Sequence, residues 1–530
     1  MNQGFPYSVR ERLAITLTRW REYARGSSLS FLFTDCSMCM RRMPGHFRFT
    51  VVFALFALSM FSSAASALPG SASRQPISTR AGRADAIPGF PASHTVAPAS
   101  LYAALAKIFV PSFSRQTGLA CSACHYQFPQ LTPFGRMFKL NGYTLTGLPT
   151  IGQPGDSVGR ESLKLATIPP LAAMVVTGLT QTSRAQPGAQ NGTVSFPQQL
   201  SIFLAGQITP HVGIFTQFTY AAADGGIGID NVDLRWAKHV TVAERDMLFG
   251  FTLHNNPTVQ DPWNTAPAWS FPFMSSDVAP SPAASTLIDG ALGQQVAGLG
   301  AYSLYNDLLY TELTAYRSAP QGATEPLDGT ATNVAKGVIP YWRVALQHAW
   351  PSTYGMIGTY GFAARLYPQG VSGPTNNYTD AAIDAQIEHQ AKIGMWIGRA
   401  VFIHESQTLS AFAAAAPPEA ANLHETLSTF RTNLTLEPSL RYALTAGYFQ
   451  TTGTSDAVIF APASITGSRT GSPNSRGEIG ELTVNPWQNM RFGLQYVFYN
   501  MFNGASNDYD AAGRKAADNN TLFLYSWVAF

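Results

Sequence analysis

The sequence predicts a mainly β chain: a transmembrane antiparallel β-barrel of about 16 strands behind a small N-terminal helical module. Three observations predict it. Charge is scarce, segments of about ten residues alternate apolar and polar, and the connections between them alternate short and long. Only 12% of the 530 residues are charged, against roughly 25% in an ordinary soluble domain. So few charges argue against a solvated cytosolic enzyme and against a disordered chain. A mean hydropathy near zero argues against a polytopic helical membrane protein. A chain that is 45% hydrophobic and 12% aromatic fits a barrel that is apolar outside and polar inside.

The N-terminus reads as a removable leader spanning residues 1–67. Arg41, Arg42 and Arg48 precede an apolar run from Phe49 to Phe61, and Ala65-Ser66-Ala67 offers a cleavage site. That run is shorter than the ~20 residues a spanning helix needs, although a membrane anchor or buried helix is the competing reading. Met40 would open a signal peptide of ordinary length and is the alternative start. Removing eight Arg and three acids from 34 basic and 31 acidic residues leaves 26 and 28, a net of −2 rather than +3. No basic face for nucleic acid is implied. Residues 68–99, rich in Ala, Pro and Ser, read as a flexible lead-in.

With Cys36 and Cys39 in the leader, the exported chain keeps Cys121 and Cys124 alone. They stand in Cys121-Ser122-Ala123-Cys124-His125, the C-x-x-C-H attachment sequence for one covalent haem c. The two thiols form thioethers to the vinyl groups, and His125 is the proximal iron ligand. A disulfide redox pair would not need His125, and a zinc site would need further Cys or His close by. The haem module covers residues 100–150. Ser100 can cap a helix over 101–109; Thr132 can cap another, with Pro133 in its first turn and Asn141-Gly142 as its stop. Phe134, Met137, Phe138 and Leu140 would cover one haem edge. Met137 is the nearest candidate for a sixth ligand, with packing as its alternative role. His94, His211, His254, His348 and His404 are further candidates, and a five-coordinate iron is open too.

The barrel covers residues 165–530. Met490, Phe492, Leu494, Tyr496 and Phe498 share one face, opposite Arg491, Gly493 and Gln495. Leu440, Tyr442, Leu444 and Tyr448 oppose Arg441, Thr445 and Gly447, and Trp342, Val344 and Leu346 oppose Arg343 and Gln347. A soluble sandwich gives the same alternation, so loop lengths decide. Strands are expected to begin near Leu171, Gln198, Val212, Asn231, Leu248, Val296, Leu308 and Tyr341, then Gly355, Ala381, Ile393, Leu423, Leu440, Glu478, Met490 and Thr521. Short turns fall at 208–211, 305–307, 437–439 and 485–489; long loops fall at 183–197, 256–295, 318–339, 453–476 and 503–520. Short periplasmic turns and long outer loops are the bacterial barrel pattern, and an even strand count puts both ends on the short-turn side. The longest loop, with Trp263, Trp269, Phe271 and Phe273, folds into the pore or forms an exposed cap. The chain closes on an apolar strand ending at Phe530.

Ser114 to His125, followed by Phe128-Pro129-Gln130-Leu131-Thr132-Pro133-Phe134-Gly135, Asn141-Gly142-Tyr143 and the terminal Asn519-Asn520-Thr521, resembles the fused outer-membrane monohaem cytochrome–porins of iron-oxidising bacteria. That resemblance implies a haem held by Cys121, Cys124 and His125 in or at the mouth of the barrel. It also implies oxidation of an extracellular donor, Fe(II) above all, with a periplasmic cytochrome or copper protein as acceptor. Two other classes stand beside this conduit: an outer-membrane channel or transporter with an accessory or sensory haem, and a periplasmic haem enzyme such as a peroxidase on a soluble β-scaffold. No nucleotide, zinc-protease or esterase motif is present.

Overall fold

The computed structural model describes residues 111–145, 150–152, 164–166, 170–187, 190–221, 226–318, 333–368 and 372–530. The leader, the lead-in, the helix expected over 101–109 and His94 lie outside them.

Three short helices open the described chain: α1 (Ser112–Thr117), α2 (Cys121–Cys124) and α3 (Pro133–Leu140). A separate two-stranded ladder follows, β1 (Thr150–Gly152) with β2 (Lys164–Ala166). The barrel then runs through β3 (Leu171–Thr182), β4 (Thr193–Thr209), β5 (Val212–Ala221), β6 (Gly226–Val242), β7 (Arg245–His254), β8 (Ala297–Tyr305) and β9 (Leu309–Arg317). The two-residue β10 (Val334–Ala335) pairs with β12 beside the main ladder. The second half comprises β11 (Ile339–Ala349), β12 (Thr353–Tyr367), β13 (Asn376–Ala391), β14 (Gly394–Thr408), β15 (His424–Ser439), β16 (Tyr442–Gly453), β17 (Ser475–Trp487), β18 (Met490–Met501) and β19 (Thr521–Ala529).

Each barrel strand pairs antiparallel with its sequence neighbours. β19 pairs with β3 and β11 with β9, which closes a barrel of 16 strands with no free edge. The expected strands are all present, each starting within five residues of its expected position. The largest offsets are at β4, β6 and β13, and all run toward the N-terminus. Pro197, the Gly226-Ile-Gly228 stretch and Asn376-Asn377 carry turn signals, yet they lie inside strands. The ladder between β3 and β4 shifts register between Val176 and Gly178, opposite Phe196–Gln198, and this bulge accommodates the proline.

Burial is inverted relative to a soluble protein. Along β13, Ile383 and Ile387 are exposed at 60% and 54%, while Asp380, Asp384, Gln386 and Glu388 are buried. Along β11, Trp342, Val344 and Leu346 face out and Arg343 is wholly buried. Leu313, 70% exposed, alternates with buried Glu312 and Thr314 on β9. The period of two therefore puts apolar side chains outside and polar ones in the lumen.

Seven connections of two or three residues, beginning with 210–211 and ending with 488–489, lie at one end; the longer loops lie at the other. Leu171 and Phe530 both sit at the short-turn end, joined by Ala173 and Phe530 backbone hydrogen bonds of 2.7 and 2.9 Å.

The lumen is filled from both ends. The longest loop folds inward: Val259, Trp263, Ala266, Ile288 and Leu292 are all buried. Trp263 Nε1 donates to Tyr354 Oη on β12 (2.6 Å), Arg399 Nε on β14 donates to the Trp263 carbonyl (3.2 Å), and Gln260 Nε2 donates to Glu312 on β9 (2.7 Å). The strongest latch is Arg343. Its guanidinium meets Asp384 of the wall at 2.7 Å and Asp261 of the loop at 3.2 Å, between the Trp263 and Tyr360 rings. None of the three charged side chains reaches solvent.

Removing one partner of a buried ion cluster strands the others and costs about 3–5 kcal/mol. Arg343→Met is expected to lower barrel stability by that amount in denaturant unfolding, with an unchanged midpoint showing that the latch carries no load.

Candidate functional site

The three helices occupy the lumen at its short-turn end. α1 docks on β4, where Ser112 Oγ and Gln116 Nε2 each donate to the Ala205 carbonyl at 2.7 Å. Arg136 pairs with Glu388 at 2.5 Å, both nearly fully buried. Arg491 donates to the Phe128 carbonyl (2.9 Å), and Thr483 Oγ1 donates to Gln127 Oε1 (3.1 Å). These partners all lie near the short-turn ends of their strands.

α2 is one turn long and carries both thiols on one surface. His125 leaves it in extended conformation, and the chain folds back so that the Thr132 amide donates to the Cys124 carbonyl (2.9 Å). Thr132 then does two jobs. Its hydroxyl donates to the Ala123 carbonyl (2.6 Å) and accepts the Gly135 amide as the N-cap of α3. α3 ends at Asn141-Gly142 as the sequence predicts, with Gly142 at φ 66°. Gly135 is required where it stands: a Cβ there would lie 2.1 Å from the Cys124 carbonyl oxygen.

Cys121, Cys124 and His125 line one cavity of about 680 Å³, inside the roughly 300–1,000 Å³ span of cofactor sites. The helical segment supplies Phe128, Leu131 and Phe138; the inward loop supplies Trp269, Phe271 and Met274; the wall supplies Met174, Phe203, Phe215 and Trp527. The cavity thus lies between the helical segment and the loop. The two meet through the Leu131 amide to Asn264 Oδ1 (2.9 Å), and through Lys139 Nζ to the carbonyls of Val259 (2.6 Å) and Asp261 (2.9 Å). A second cavity of about 210 Å³ adjoins it toward the long-loop end, with Phe271, Pro272 and Arg431 common to both.

The electrostatics separate the rival readings of C-x-x-C-H. Burial pushes the Cys124 thiol up to about 11, reinforced by Cys121, and burial raises Cys121 as well. A redox-active pair has its thiol pKa lowered, the opposite direction. Among the described residues, no group of three or more His, Cys, Asp or Glu could hold a metal ion, as zinc would require. Burial lowers His125 to about 4, with the Pro129 carbonyl opposing and Arg491 adding to the effect. Its imidazole is therefore neutral, as a ligand must be. The ring stacks on Phe128 at 4.1 Å, and its buried Nδ1 makes no hydrogen bond. An apolar cavity bounded by two thiols and a buried neutral imidazole fits a covalently attached haem.

The other expected ligands fall elsewhere. Met137 packs against the cluster of Leu140, Leu248, Trp263 and Tyr302 and is not among the residues that line the cavity. His254 is buried against Tyr316 Oη (2.6 Å), His404 is exposed beside Ser428, His348 packs on Trp350, and His211 lies in a short turn beside Trp236. Sequence reasoning missed Met174, Met274 and Lys139 as lining residues. The sequence carries no signal for Met274, because its position depends on the loop folding inward.

No protein-family model and no curated protein matches the chain. Solved structures similar to it are outer-membrane barrels. In-vitro folded OmpT, an outer membrane protein of Vibrio cholerae, is 10% identical over 68% of this chain and 96% of that one, with a TM-score of 0.37. Salmonella typhi OmpF in complex with daunomycin is 12% identical over 70% and 98%, with a TM-score of 0.41. The outer membrane channel DcaP of Acinetobacter baumannii is 10% identical over 68% and 96%, with a TM-score of 0.40.

Lys139 yields a pH test. Burial lowers its pKa from 10.5 to about 7, Arg235 adds to this, and Asp233, Asp261 and Glu312 oppose it. Between those values the unfolded chain holds a proton that the folded one lacks, so stability rises with pH across the window. Unfolding midpoints measured from pH 7 to 10.5 are expected to climb, and Lys139→Met to flatten the climb; an equal slope in both proteins would contradict the assignment.

Proposed function

We propose that this chain is an outer-membrane electron conduit: a monohaem c-type cytochrome joined to a barrel, taking electrons from an extracellular donor and passing them to a periplasmic carrier. The observation that carries this reading is the cavity itself. The C-x-x-C-H residues line an apolar pocket in the lumen of a barrel that the inward loop and the helical segment fill.

The membrane assignment rests on the inverted burial. Ile357, Ile383, Ile387, Leu313 and Leu346 cover the outer face, a surface that water would penalise and lipid accepts. Trp350 and Trp487, exposed at 55% and 66% at the short-turn end, suit a membrane–water interface. The short-turn end faces the periplasm in such barrels.

Cys121 and Cys124 would hold the haem, and His125 would ligate its iron. A haem bound in this cavity would supply one-electron redox chemistry. Phe128 orients the imidazole by stacking, and Trp527 stacks behind Phe128 at 4.7 Å. Phe138, Phe203 and Phe215 keep the pocket apolar, and Lys139 ties the loop wall to α3. Each Fe(II) gives up one electron outside the cell and leaves as Fe(III). The second cavity is the approach from that side, and the helical segment fills the mouth where a periplasmic cytochrome or copper protein docks.

Sixteen strands also suit an aqueous pore, which favours a second reading: a channel with an accessory haem. The porin-like barrel by itself supports this second reading, in which a diffusion path would have to pass the loop's latches. Haem stain is expected in the outer-membrane fraction, and reduced haem is expected when detergent-purified protein meets Fe(II) in stopped flow. Haem stain in the periplasm would remove the barrel reading. A spectrum unchanged by Fe(II), together with stable ion conductance in a planar bilayer, would select the channel.

A further inference from the structure

We propose that Met274 supplies the sixth ligand, so that the haem iron is held between His125 and a sulfur carried by the inward loop. This rests on the haem reading above and names the residue that completes its coordination. Among the described residues no histidine other than His125 lines the cavity, and Lys139 Nζ is already held by two carbonyls. Two sulfur donors remain, Met174 and Met274. Met174 belongs to strand β3 and is a buried member of a cluster with Val176, Phe523 and Trp527. Phe128 and Met274 both pack against that cluster from the cavity side, but Met174 is buried within it, whereas Met274 keeps part of its side chain open.

Met274 belongs instead to the loop wall that faces the helical segment. Its side chain is only partly buried, and its backbone is clamped. Gln495 Nε2 donates to the Met274 carbonyl (2.8 Å), Gln198 Nε2 donates to the Ser275 carbonyl (2.8 Å), and Ser276 Oγ bonds Thr180 Oγ1 (2.7 Å). Three hydrogen bonds from β18, β4 and β3 therefore fix where this thioether can reach. A neutral thioether opposite an imidazole stabilises the ferrous state and raises the potential. The loop that meets the outside would in this way also set the redox poise of the centre.

The test uses the full chain carrying its haem, purified in detergent. The ferric wild type is expected to be low-spin with the near-infrared sulfur-to-iron charge-transfer band. Met274→Ala is expected to lose that band, become high-spin and show a lower potential. Met274→His is expected to replace the band with a bis-imidazole spectrum, a gain of signal that a misfolded protein would not give. Met174→Leu and Met137→Leu are expected to keep the wild-type spectrum. Retention of the band in Met274→Ala, its loss in Met174→Leu alone, or its absence from the wild type would each overturn the assignment. Covalent haem on a denaturing gel is read separately: a wild type without it overturns the haem reading itself.

Discussion

A lumen lined by charges imposes the constraint on which the rest of this structure depends. Sixteen strands with apolar outer faces turn every second residue inward, and those residues include Arg235, Arg343, Asp233, Asp384 and Glu388. A buried charge is tolerated only when paired and hydrogen-bonded. Some pairs form within the wall, as Arg235 does with Asp233 at 2.9 Å. Others are completed by what enters the lumen. Asp261 of the loop completes Arg343, Arg136 of α3 completes Glu388, and the Tyr143 hydroxyl donates to Asp233 at 2.7 Å. The wall and its contents are therefore one electrostatic unit.

The same constraint divides the N-terminal motifs by role. Cys121, Cys124 and His125 face the cavity, and Thr132 and Gly135 let α3 pack directly on the turn that bears them. Asn141-Gly142-Tyr143 does something different. Asn141 meets His239 of β6 at 2.8 Å, the Gly142 carbonyl lies where a Cβ on Gly213 would sit, and Tyr143 reaches Asp233. That tripeptide is a docking element for the barrel wall. Asn519 and Asn520 act at the far end, bonding Tyr509, Arg514 and the Tyr499 amide within the long loops.

Local signals made most of the fold legible. Alternation and loop length located all sixteen strands, because a period of two and a change of loop length are properties of contiguous sequence. They misjudged only the ends where Pro197, Gly226 and Asn376 carry turn chemistry inside a ladder that a bulge or a neighbouring strand sustains. The attachment motif was legible for the same reason, being five consecutive residues. The far wall of its cavity was not. Met274 lies 149 positions after His125 in the chain, and it is brought back by latches at Arg343, Glu312 and Arg399 and by Gln495, Gln198 and Thr180 of the wall. Whether that loop caps the barrel or enters it depends on charges on four different strands, a non-local sum that no window of sequence contains.

The filled lumen also separates what the barrel can pass. A solute needs a continuous open path, and opening one here means withdrawing the loop from Arg343, Glu312 and Arg399, which keep their wall partners Asp384, Tyr310 and Gln386. Opening would exchange the loop's contacts at those groups for contacts with water. An electron needs no opening. It needs a centre held in an apolar site, with packed groups on both sides, and the cavity between the loop and the helical segment meets that description: Phe271 and Arg431 border it toward the long loops, while His125, Phe128 and Trp527 border it toward the short turns. The contacts that hold the loop inside the lumen are also the ones that place its residues on the wall of the cavity lined by Cys121, Cys124 and His125.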